Sequence, residues 1–122
     1  MKILLLDDDK QLRLNLSAFL EDEGYTVVNA ASAEEALQMI NRDKYKVAIV
    51  DINLPGIDGE EFINIASEKT PDTRYLIHTG IYDYKLSPGM KSLGLNENDL
   101  IYKPVIDMNF MVEKVKSIFE NK

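Results

Sequence analysis

KVAIVDINLPGIDG, residues 46–59, decides how the rest of this chain is read. Val47 to Val50 form an unbroken apolar run, the pattern of a strand buried on both faces of a parallel sheet. The run ends on one carboxylate, Asp51, and soon breaks into Pro55-Gly56 and Asp58-Gly59, which are turn dipeptides. Asp51 is therefore expected at the carboxyl end of a central strand, where open α/β sheets place their ligand sites. On this stretch alone, the aspartate reads equally as a helix cap or a strand terminator. What separates the readings is the chemistry at the other strand ends.

The 122 residues suit one domain with a full core. A hydrophobic fraction of 45% and a charged fraction of 29% are those of an ordinary soluble protein. The net charge of −7 argues against a sequence-independent grip on nucleic acid or on anionic lipid. It suits a bound cation, or a partner with a basic or mixed face. With no cysteine, disulfides, thiol catalysis and Cys-ligated zinc are excluded. The N-terminus turns acidic at Asp7, too soon for a signal peptide, and no apolar run approaches the length of a membrane span. A cytoplasmic setting without membrane insertion is expected.

The remaining elements fall into strand–helix alternation. Ile3–Leu6 form a strand that ends on Asp7, Asp8 and Asp9. From Lys10 the spacing is helical, with Leu12, Leu16, Phe19 and Leu20 on one stripe and Gly24 as the stop. Tyr25–Val28 read as the second strand. Ser32 and Glu35 have capping-box spacing, opening a helix with Ala36, Leu37 and Ile40 inward. Asp58 and Glu61 start another, with Phe62, Ile63 and Ala66 buried and an end near Thr70-Pro71. Arg74–Thr79 are the fourth strand. Residues 81–98 contain Pro88-Gly89, Gly94 and two asparagines, so any helix there is short or broken. Leu100–Tyr102 make a last strand, and Asp107 can cap a helix with Met111, Val112, Val115, Ile118 and Phe119 inward. The alternation predicts an α/β fold with a doubly wound parallel sheet and helices on both faces.

One sheet edge then collects Asp7 and Asp8, Asp51, Thr79 and Lys103. Three carboxylates in one place repel unless a cation sits among them, and an oxygen-preferring divalent ion such as Mg²⁺ is the natural one. Lys103 adds a point charge and Thr79 a hydroxyl. Together they suit phosphoryl transfer onto a carboxylate. Each residue alone also has a plainer reading: a solvated cap for Asp7–Asp9, a strand residue for Thr79, a surface charge for Lys103. Asp9 and Asp58 are taken as caps. His78, one residue before Thr79, faces the other side of its strand and is taken as structural. Tyr75, Tyr82 and Tyr84 are not spaced as a stacking platform and receive no role.

With Asp7-Asp8, Asp51 in DINLPGIDG, Thr79 and Lys103-Pro104 in this order, the chain resembles the receiver domains of two-component response regulators. The resemblance runs from Lys2 to the last helix. It implies a flavodoxin-like sheet of order 2-1-3-4-5 over residues 1–122, with no output domain. Asp51 would be the phosphoacceptor. Mg²⁺ would be held by Asp7, Asp8, Asp51 and the backbone carbonyl of Asn53. Thr79 and Lys103 would contact the phosphoryl group, and the Lys103–Pro104 bond would be cis. The donor would be a sensor histidine kinase or a histidine phosphotransfer protein, docking near Gln11, Leu12 and the Pro104–Val105 loop. Signalling would go by protein contact with a downstream target or as a phosphorelay intermediate. The chain would catalyse its own phosphorylation and dephosphorylation without being a turnover enzyme. An unphosphorylated binding module on the same fold is the alternative. The family's aromatic switch residue, three positions before the lysine, is Leu100 here. Gly80 stands where a small residue such as alanine is usual.

Overall fold

The apolar runs become a five-stranded, all-parallel sheet of order β2-β1-β3-β4-β5, as expected. The strands are β1 (Lys2–Leu6), β2 (Thr26–Ala30), β3 (Val47–Val50), β4 (Arg74–Thr79) and β5 (Leu100–Tyr102). The helices are α1 (Lys10–Asp22), α2 (Ala33–Ile40), α3 (Gly59–Lys69), α4 (Pro88–Ser92) and α5 (Met108–Glu120). The computed structural model describes residues 2–103 and 108–120. The expected Asp107 cap, the cis Lys103–Pro104 bond and the Pro104–Val105 loop lie outside them. Among the described residues no helix is long and apolar enough to cross a membrane.

The period of two along each strand sorts the core into two layers. Ile3, Leu5, Val47, Ile49, Leu76 and Ile101 point toward α1 and α5, where Leu16, Leu20, Met111, Val112 and Val115 close over them. Leu4, Leu6, Ala48, Val50, Ile77 and Leu100 point the other way, onto α2, α3 and α4. Ile3–Leu6 of β1 and the whole of β3 are therefore apolar at every position, because both faces are covered. Fully burying one such Leu or Ile side chain contributes roughly 1.5–3 kcal/mol.

Helix starts follow their caps. Asp9 accepts from the Leu12 amide and Asp58 from the Glu61 amide, each satisfying a donor that has no partner within its helix. Ser32 accepts from the Glu35 amide at 3.1 Å, but the Glu35 carboxylate turns back to the Ala31 amide at 2.9 Å, one residue before a full capping box. Gly24 ends α1 at φ +96°, a conformation that costs a residue with a Cβ about 1 kcal/mol.

Phe19 departs from the expectation. Its helical spacing put it on the inner stripe, but it is 44% exposed, and the buried place beside Leu16 and Leu20 goes to Ser17. The Ser17 hydroxyl donates to Asn29 Oδ1 of β2 at 3.1 Å, so α1 is rolled toward a polar contact with the edge strand. The broken-helix reading of 81–98 holds. There α4 has only five residues and is followed by a 3-10 turn, Glu97–Asp99.

His78 sits on the α1 and α5 side of β4, 4% exposed, with no hydrogen bond to either ring nitrogen among the described residues. Burial first, and then the Lys103 ammonium, hold its pKa down at about 4, while Asp7 pulls the other way. The unfolded chain takes this proton near pH 6.5, the folded one only near 4. Stability therefore falls as pH drops through that window, by on the order of 3 kcal/mol. Urea unfolding of His78→Gln beside the wild type, at ~pH 7.5 and ~pH 4.5, should show a smaller acid loss in the variant.

Candidate functional site

Each strand end delivers its polar group to the same edge. Asp7 follows β1, Asp51 follows β3, Thr79 closes β4 and Lys103 follows β5. Asp7 is 1% exposed and Asp51 5%, whereas Asp8 stands in solvent. Asp7, Asp8 and Asp51 each offer an oxygen within 4.8 Å of the other two.

One ammonium holds this crowd together. Lys103 Nζ lies 2.7 Å from Asp7 Oδ2 and 3.4 Å from Asp51 Oδ2. The second oxygens are also occupied: Asp7 Oδ1 accepts from the Asp9 amide at 2.9 Å, and Asp51 Oδ1 from the Asn53 amide at 3.2 Å. Burial works against the charge on Lys103, and contacts with Asp7 and Asp51 outweigh it, raising its pKa. Burial raises the pKa of Asp51, and Asp7 adds to this. The Lys103 charge and the Asn53 amide oppose the rise without cancelling it. Asp51 is thus a carboxylate held short of positive charge.

That shortage is the test of fit for a metal. The donors here are all oxygens, two of the three carboxylates are buried, and one ammonium serves both. A hard divalent cation of the Mg²⁺ kind takes such ligands and keeps its remaining waters. An open cleft of about 340 Å³ lined by Asp8, Asp51, Asn53, Gly80, Ile81 and Lys103 leaves room for it and for a small anion. A cleft of about 380 Å³ at the opposite, amino edge of the sheet contains none of the expected site residues.

Thr79 is fully buried at the rim. Its Oγ1 accepts from the Ile81 amide at 3.0 Å, and its carbonyl accepts from the Lys103 amide at 2.7 Å. The same residue thereby fixes the loops after β4 and β5. All the expected site side chains converge on this edge; of Asn53, the amide is seen engaged with Asp51.

Two positions escaped sequence reasoning. Arg13 donates to the Asp7 carbonyl at 2.6 Å, reaching back six residues over the turn that carries Asp8. Helical spacing gives no sign of a contact that leaves its helix backwards. Gly59 was read as a turn residue, yet it is the first residue of α3, and its amide donates to the Ile52 carbonyl at 3.0 Å. A Cβ there would lie 2.2 Å from the Asp51 carbonyl oxygen, so only glycine lets α3 start this close to Asp51.

A raised carboxylate pKa contributes stability at low pH that is lost as pH rises through the folded value. At neutral pH without metal, the Asp51 anion is therefore a net cost. Asp51→Asn should melt higher than wild type in chelator at pH 7, by about 2 °C or more, with the gap closing when Mg²⁺ is added. Thermal denaturation of both proteins in the two conditions checks this.

A family model for the response regulator receiver domain matches residues 3–116. Among curated proteins, the chain is 28% identical over 93 residues to sporulation initiation phosphotransferase F of Bacillus subtilis, covering 76% of this chain and 75% of that one. Against several other curated relatives it spans only 16–42% of their length. Among solved structures, a CheY-like receiver domain protein from Methanospirillum hungatei is 31% identical with TM-score 0.81, covering 98% of this chain and 94% of that one. The response regulator TrrA from Thermotoga maritima, in complex with Mg²⁺ and BeF, is 28% identical with TM-score 0.83 and covers 96% and 97%.

Proposed function

The chain belongs to the response regulator receiver family, and from that premise we propose that it accepts a phosphoryl group on Asp51 from a phosphohistidine. The observation that carries this reading is the buried Asp51 carboxylate, 3.4 Å from Lys103 and clustered with Asp7 and Asp8. Asp7, Asp8, Asp51 and the Asn53 carbonyl would hold Mg²⁺, which when bound supplies the positive charge that the phosphoryl oxygens need.

Asp51 Oδ1 is tied to the Asn53 amide, which leaves Oδ2, facing Lys103, as the attacking atom. The Oδ2–phosphorus bond forms as the phosphorus–nitrogen bond to the donor imidazole breaks. The electron pair of that bond stays on the imidazole nitrogen, which takes up a proton. Lys103 then exchanges part of its contact with Asp7 for a phosphoryl oxygen, and the Thr79 hydroxyl turns to donate to another. The resulting acyl phosphate biases an existing equilibrium in the loops around Thr79.

In this reading residues 1–122 act as a receiver that passes the signal by protein contact or hands the phosphoryl group on. A relay role is supported by likeness to a relative named as a phosphotransferase, most of which the chain spans. The donor is a histidine kinase or phosphotransfer protein, and its docking surface includes the exposed Gln11 and half-buried Leu12 at the start of α1.

Intact mass after incubation with acetyl phosphate tests the chemistry. One phosphoryl adduct is expected with Mg²⁺, none in chelator and none in Asp51→Asn. An adduct that persists in Asp51→Asn would move the acceptor elsewhere. Leu12→Asp should keep uptake from acetyl phosphate while losing transfer from a phosphohistidine protein by about tenfold or more, a loss of about 1.4 kcal/mol in recognition. Equal transfer in both proteins would remove α1 from the docking surface.

A further inference from the structure

Thr79 and Tyr102 are register partners in β4 and β5. Tyr102 shares the strand face of Leu100, which belongs to the core layer under α2, α3 and α4, so Tyr102 stands beside Thr79 on that side of the sheet. Leu100 fills core space where an aromatic switch would otherwise sit. One step further out, the Tyr102 side chain instead meets the backbone of Tyr84, through a continuous set of hydrogen bonds.

The Ile81 amide donates to Thr79 Oγ1 at 3.0 Å, and the Ile81 carbonyl accepts from the Tyr84 amide at 3.1 Å. The Tyr84 carbonyl accepts from the Tyr102 hydroxyl at 2.7 Å. The Tyr84 hydroxyl donates to Glu60 Oε2, and the Ser87 hydroxyl donates to Glu60 Oε1 at 2.9 Å. Ser87 in turn caps α4 by accepting from the Met90 amide. Burial, and then the Glu60 carboxylate, push the Tyr84 phenol pKa up, so it stays a donor.

The anchors of this set are tied to the site itself. Glu60 follows Gly59, which rests on the Asp51 backbone, and Tyr102 precedes Lys103. Tyr84 is thus held from α3 on one side and from β5 on the other, in a loop whose first bond is to Thr79. When the Thr79 hydroxyl turns toward a phosphoryl oxygen, the Ile81 amide loses its acceptor, and the turn that presents Tyr84 loses its support.

We propose that Tyr84, clasped by Glu60 and Tyr102, is a latch made only in the unphosphorylated state, and that its release is what carries the state of Asp51 to α4. This rests on the reading of Asp51 as phosphoacceptor. By linkage, a bond made only in the resting state opposes phosphorylation, so deleting it favours the phosphorylated form.

Calorimetric titration with beryllium fluoride in the presence of Mg²⁺, a phosphoryl mimic, reads this directly. Tyr102→Phe and Tyr84→Phe each remove one hydroxyl and keep the ring. Each should bind about threefold to tenfold tighter than wild type, as expected for one net hydrogen bond. Tyr82→Phe, at a ring 89% exposed, should match wild type. Unchanged or weaker binding in both latch variants, with wild type binding normally, would overturn the latch and leave the phosphoacceptor reading standing. Failure of the wild type to bind would overturn both.

Discussion

Two nearly buried carboxylates, Asp7 and Asp51, share the single ammonium of Lys103 at the edge of the sheet. Taking charges out of water costs several kcal/mol per ion unless the pairing geometry is good, and here one cation divides itself between two anions. Such an arrangement persists only if its members are held from moving apart. Lys103 and Asp7 are 96 residues apart in the chain, so the constraint falls on the sheet. The apolar filling of β1, β3 and β4, covered on both faces, keeps these strand ends in register. The core is what makes the strained charge pattern possible, and the charge pattern is what leaves Asp51 in want of a cation.

The fold was legible because its strongest signals are local. The runs Ile3–Leu6 and Val47–Val50 are apolar throughout, since each residue meets a helix layer on its own side. Asp9, Ser32 and Asp58 announced helix starts through contacts only three residues long. The site was legible because parallel strands align their ends, whatever the intervening sequence. What could not be read depends on contacts with no sequence period. Phe19 has the spacing of a core residue, but the roll of α1 is set by Ser17 meeting Asn29. Asp99 is buried, pairing with Arg74 at 3.2 Å and accepting from the Asn96 amide, contacts that no sequence period marks. Tyr84 is joined to Glu60 across 24 residues, and nothing near it in sequence points there.

The helices that cover the two faces of the sheet are not all held by the same means. The α1 and α5 face rests on two thirteen-residue helices with apolar stripes. On the other face α2 and α3 also bury apolar side chains, but α4 has five residues, too few to be stable through helix propagation alone. Between Ile81 and Asp99, the buried Leu86, Met90 and Leu95 are joined by side chains bonding to backbone and to one another: Ser87, Asn96, Asp99 and Tyr84. Bonds of this kind contribute about 1 kcal/mol each, and they can be exchanged one at a time. A segment built this way responds to a small input, whereas a long packed helix does not.

His78 gives the charge balance an observer. It is the one histidine in the chain, so its imidazole carbon-bound protons give resonances that no other residue can be confused with. Among the described residues the ring has no hydrogen bond to fix its electronic state, and it lies within the fields of Lys103 and Asp7. Binding of a cation or transfer of a phosphoryl group redistributes charge among those neighbours. The chain therefore contains its own spectroscopic label for the site, placed beneath it, with no foreign group needed.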